Sequence, residues 1–122
     1  MTVLTEGKYI GDVLHWEEDE RFSRNTVKLA TNQLIEIGSV LSKHDQTGDY
    51  HLLDPQGKEG LSKAAAVSLV HASTGKLLMD VVVVTRHALL KTNGLAWPEG
   101  ITDKQQQTAT DQLNLLGLVV RS

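Results

Sequence analysis

The sequence predicts a mainly β, single-domain protein with short helices, an extended N-terminal arm and a helix near its C-terminus. Three observations lead there. Val81-Val82-Val83-Val84 is a run of four β-branched residues; the other apolar stretches are short and broken by Gly, Asn, Asp and Pro; and one segment, Thr102 to Gly117, carries both a start and a stop signal for a helix.

The four valines resist a helix because each loses side-chain freedom against the preceding turn. Four apolar residues in a row suit a strand covered on both faces, so Leu77 to Thr85 reads as such a strand. Thr26 to Leu29, Leu34 to Ile37 and Val40-Leu41 are short β-prone stretches, and Gln46-Thr47-Gly48-Asp49 and Asp54-Pro55-Gln56-Gly57 are turns flanking a strand at Tyr50 to Leu53. Together they suggest a meander of brief strands. Lys63 to Val70 fits helix or buried strand by periodicity, and strand is preferred. In the C-terminal segment Thr102 can cap the first turn, Gln105 can reach back to the Thr102 amide, and Gly117 can take the left-handed stop. Ala109, Leu113 and Leu116 form one apolar stripe between them, and Leu118 to Arg121 returns to strand.

Residues 1–22 are polar and acidic, and read as an arm without a core of its own. The β-rich domain is expected over 23–122. Within the arm, Glu17-Glu18-Asp19-Glu20 is a self-repelling run that favours an extended, solvated chain unless a basic partner covers it.

A chain of 122 residues buries roughly two thirds of the surface it exposes when unfolded, enough for one core. With 12 basic and 15 acidic residues, net charge −3, it holds no reservoir of positive charge for phosphates, which argues against nucleic acid as partner. There is no cysteine, so disulfides, thiolate nucleophiles and Cys-ligated zinc are excluded. No apolar run approaches the ~18 residues that span a bilayer, so no membrane partner is expected.

The search for chemistry begins with His15, His44, His51, His71 and His87. None stands at a recognised zinc or triad spacing, and no phosphate-binding or dinucleotide-binding glycine pattern is present, so no cofactor, small-molecule substrate or catalytic residue is expected. His15, Glu17 and Asp19 alternate and would share one face of an extended strand, offering one nitrogen and two oxygens to an ion; the plainer reading is a solvated acidic edge. Arg86-His87, after the valine strand, pairs a cation with a base but has no identified partner, and a surface or subunit contact suits it better. His44-Asp45 reads as a solvated turn. Trp97-Pro98-Glu99-Gly100 fixes a rigid bend before the helix, a packed corner in which Trp97 can also anchor a contact between subunits.

Two sets of strings resemble the lambda-type bacteriophage head decoration proteins, the protein D family. The first is Tyr9-Ile10-Gly11-Asp12-Val13-Leu14 through Ser23 to Leu29 and Ile37-Gly38-Ser39-Val40-Leu41. The second is Val84-Thr85-Arg86-His87-Ala88, then Leu95 to Ile101, then the helix and Leu116 to Val120. The resemblance implies a β-clip-like domain that assembles as a homotrimer over three-fold and quasi-three-fold positions of an expanded icosahedral head. There it would bind the major capsid protein on the outer surface of the virion, having been made in the host cytoplasm, and hold the shell against packaged DNA without catalysis. The sequence departs from the shorter branch of that family at Trp16 to Glu20, where that branch has a Pro- and Gly-rich arm.

On this reading the capsid contact falls on Val3, Leu4, Thr5, Tyr9, Ile10, Gly11, Asp12 and Val13, an arm that donates a strand to an exposed edge, and the trimer contact on Arg86, Trp97 and Pro98. The alternatives are a small metal-assisted hydrolase using His15, Glu17 and Asp19, and a β-rich binding module with no virus involved.

Overall fold

Val81 and Val83 point into one apolar cluster with Leu29, Ile35, Leu41 and Ala66, while Val84 points into another with Val13, Val40, Val67, Leu90, Leu113 and Leu118. The valine run therefore divides two cores, which is why both of its faces had to be apolar. Each fully buried Leu or Val here contributes about 1.5–3 kcal/mol relative to exposure. The computed structural model describes residues 9–121.

The elements run β1 (Leu14–Glu17), α1 (Glu20–Ser23), β2 (Arg24–Leu29), β3 (Leu34–Ile35), β4 (Val40–Lys43), β5 (Tyr50–Leu52), β6 (Ala64–Ser68), β7 (Ala72–Ser73), β8 (Met79–Val84), β9 (Ala88–Lys91), α2 (Asp103–Leu115) and β10 (Leu118–Arg121). Single 3-10 turns sit at Ile10–Asp12 and Thr92–Gly94. Strands β2-β5-β4-β6-β8 close into a barrel, β1-β9-β10 form a second sheet, and β3-β7 a two-stranded ribbon. The protein is thus mainly β, with one long helix.

The barrel closes because β2 pairs with β8 along its whole length, from Arg24↔Val84 to Leu29↔Met79, and meets β5 through Leu29↔Tyr50. Closure removes the barrel's open edges. The second sheet joins distant parts of the chain: β9 pairs antiparallel with β1 and parallel with β10, the parallel connection running through α2. Ala109 and Leu113 bury the inner face of α2, and Gln112 Oε1 accepts the Ala64 amide at 2.8 Å, fastening the helix to β6.

Strand expectations hold at β2, β4, β5, β6, β8 and β10, and the helix begins as the sequence predicts. The Thr102 hydroxyl accepts from Gln105 N at 3.1 Å, and Gln105 Oε1 accepts from Thr102 N at 3.0 Å. Gly117 takes φ +86° at the stop. Three features differ. The strand expected over Leu34 to Ile37 pairs only at its first two residues, because Gly38, at φ +97°, already turns the chain. Leu116 is 40 % exposed and falls outside the buried stripe. The acidic run meets the basic partner that its expectation allowed for, Arg24 covering Glu17 in β1, and past it Asp19 Oδ1 accepts from Arg21 N at 2.8 Å and starts α1. The arm does not extend to residue 22, since Val13 is fully buried and β1 is bonded into a sheet.

Candidate functional site: the arm root and the Trp97 groove

The root of the arm is set by the Ile10–Asp12 turn. Asp12 N donates to Tyr9 O at 2.9 Å and Tyr9 N to Asp12 Oδ2 at 2.8 Å, closing the turn on itself. Beyond it Lys91 N donates to Val13 O at 2.7 Å, and Lys91 Nζ to Gly11 O at 2.8 Å. Gly94 makes this approach possible, since a methyl group there would meet Asp12 O at 2.2 Å and Val13 Cα at 2.7 Å. Of the expected capsid residues, Tyr9, Ile10, Gly11 and Asp12 are exposed. Val13 is a core residue, fully buried in the cluster that holds Val40 and Leu90, and it is withdrawn from that set. Val3, Leu4 and Thr5 lie outside the described residues.

Below the root, the segment of Glu17 to Ser23 is clamped to the barrel. Arg24 Nη2 and Nε reach Glu17 Oε1 at 2.6 and 3.1 Å, and Nε lies 3.1 Å from Oε2. The hydrogen bond to Glu17 raises the Arg24 pKa above the ordinary guanidinium value. His87 Nδ1 stands 3.1 Å from Glu18 Oε1, its carbonyl accepts from Glu18 N and from Ser23 Oγ, and its ring meets Phe22 edge-on at 4.8 Å. These contacts hold His87 at φ +52°, a conformation that side chains other than glycine rarely adopt. Arg86 donates to Phe22 O and lies over the Phe22 ring at 5.3 Å.

Those contacts answer the chemical expectations. Glu17 is occupied by Arg24 and Asp19 by the start of α1, so the two carboxylates expected to share an ion with His15 face separate partners. His44 does not pair with Asp45: its Nε2 meets Glu59 Oε2 at 2.7 Å, and its Nδ1 accepts from Gln46 N and Thr47 N. Arg86 and His87 serve a contact within the chain.

Trp97 and Pro98 lie on a different part of the surface. A bridge between Ser39 and Ala96, with Ala96 N donating to Gly38 O at 2.8 Å, ties the chain to the start of β4; Ile101 N then returns to Pro98 O at 3.3 Å. Trp97 is partly buried against the core and lines an open groove of about 860 Å³ with Leu34, Leu52, Ala72 and Pro98, and with polar residues that include Glu36 and Glu99. The expected packed corner is present. Arg86 does not line this groove, so the three residues assigned to the trimer contact are not brought together.

The model of the bacteriophage lambda head decoration protein D family matches residues 3–118. The chain belongs to that family. Comparison with the curated proteins finds no match. As a head decoration protein, the chain is a virion-associated component of a bacteriophage capsid, from a family whose role is structural and not enzymatic. The hydrolase and non-viral readings lose their ground here.

Sequence reasoning missed Arg24, Lys91 and Gly94, which hold the arm root in place. Their partners are seven or many more residues away, and no local pattern marks a glycine that must accept a distant carbonyl.

Proposed function

We propose that this head decoration protein binds as a homotrimer at three-fold and quasi-three-fold positions on the outside of the expanded head. There it holds neighbouring major capsid subunits together against the outward push of packaged DNA. The family match over residues 3–118 carries this reading. The arm root supports it, because exposed Tyr9 and Ile10 stand on a turn anchored to the domain through Val13 and Lys91. The segment ahead of that turn, with Val3, Leu4 and Thr5, is the grip on the capsid, and adds a strand to an edge of the shell. Trp97 and Pro98 are the contact between copies, since a half-buried indole over an apolar groove brings much area at small entropic cost. Three arms engaging three edges at once make release slow even when each contact is modest.

Electron microscopy of expanded heads with and without the protein tests the placement; added density away from the three-fold positions would overturn it. Deleting residues 1–8 keeps the described domain and should abolish head binding, with the trimer mass and melting unchanged. Full binding by the deleted form would remove the arm from the account.

A further inference from the structure

We infer that the outward face of the β1-β9-β10 sheet is a second docking surface for the same capsid subunit, lying beside the arm; this rests on the arm reading above. Register brings Trp16 beside Leu89 and Leu89 beside Val119, so three apolar side chains form one row across three strands. The alternate residues Leu90, Leu118 and Val120 turn inward to the core, which leaves the row on the solvent side. Trp16 is 55 % and Val119 40 % exposed. A contiguous apolar row rimmed by charge marks an interaction surface rather than scattered surface residues.

The sheet itself says what covers the row. Leu89 is followed at two residues by Lys91, and Val119 by Arg121, and Lys91 and Arg121 are register partners, so one flank of the row is cationic, while Glu18 and His87 stand on the other flank, paired with each other. Arg121 has no acidic partner among the described residues. The complementary surface is therefore apolar with a carboxylate facing the Arg121 flank. Position selects the capsid subunit as its owner. Val3 to Thr5 lie four to six residues ahead of Tyr9, so the edge they grip is within about 20 Å of the arm root even when the chain is fully extended. The root leads directly into β1, the strand that carries Trp16. A capsid surface within that reach of β1 is the partner nearest to the row.

The test uses Trp16→Ala with Val119→Thr in the full chain, and expanded undecorated heads of the encoding phage. Both side chains face solvent, so the expected result is unchanged melting and trimer mass with head affinity lower by at least about tenfold. Wild-type binding by this double variant, while the form lacking residues 1–8 fails to bind, would overturn the docking face and leave the arm standing. Wild-type binding by both would overturn the arm reading itself. Loss of the trimer would assign the row to a contact between copies and overturn the inference.

A second measurement covers the case of a variant that does not fold. The chain has no cysteine, so Val119→Cys can be labelled with a maleimide alone. Protection by about tenfold on adding heads is expected, with Gly75→Cys, in open space away from the row, as reference. Equal labelling of Val119→Cys in free and bound protein would overturn the inference.

Discussion

The guanidinium of Arg24 closes on both carboxylate oxygens of Glu17, across the junction between β1 and β2, at 2.6 to 3.1 Å. The Glu17 side chain is 15 % exposed and that of Arg24 25 %. A planar fork on a largely buried carboxylate differs from a surface ion pair, because removing one partner strands the other's charge. Arg24→Leu should cost about 2–3 kcal/mol in urea unfolding, and Glu17→Gln, which keeps hydrogen-bonding capacity, about 1 kcal/mol. Equal midpoints for wild type and Arg24→Leu would show the fork to be energetically idle.

Gly94 stands where the arm root crosses the chain. Gly94→Ala forces a methyl group against the Asp12 carbonyl and the Val13 backbone, and should destabilise by about 2–3 kcal/mol. Gly75→Ala, with nothing within 4 Å, should stay within about 0.5 kcal/mol. Thermal melting of the two variants checks the contrast.

Ser42 is fully buried and its hydroxyl has no hydrogen-bond partner among the described residues. An unpaired buried hydroxyl is a desolvation cost without return, so Ser42→Ala should leave stability unchanged or raise it by up to about 1 kcal/mol. A clear loss in denaturant midpoint would mean that the hydroxyl is satisfied in solution.

His51 gives the protein an acid sensitivity of known sign. Burial, then the neighbouring His44 charge, lowers its pKa below the ordinary histidine value. The unfolded chain therefore binds the proton more readily, and stability falls as pH drops from about 6.5 through the lowered folded value. His51→Gln should flatten that part of the melting-temperature profile between pH 7 and 5. An unchanged slope would place the titration elsewhere.

Much of this fold was legible because its signals are local. The valine run, the Thr102–Gln105 box and Gly117 each carry their meaning within a few residues. β1 and β9 were not legible. Leu14-His15-Trp16-Glu17 and Ala88-Leu89-Leu90-Lys91 lack strong β character, and become strands because they find each other and β10. The partners of the acidic run were hidden for a related reason: Arg24, His87 and the Arg21 amide reach it only in the folded chain, and turn repulsion into a set of clamps. Trp97 was found by its own distinctiveness, whereas the row through Trp16 exists only once three strands are in register.

The pairing of Leu14 with Leu90 has a consequence for synthesis. At roughly 5–20 residues per second, a ribosome adds the intervening stretch in about 4–15 s, during which the first strand has no mate. Closing so long a loop costs entropy before any ladder bond is made, so this pairing, like that of β2 with β8, waits until most of the chain has been made. A nascent chain therefore offers its unpaired leading strand to whatever edge is nearby, which favours production at low crowding by sister chains.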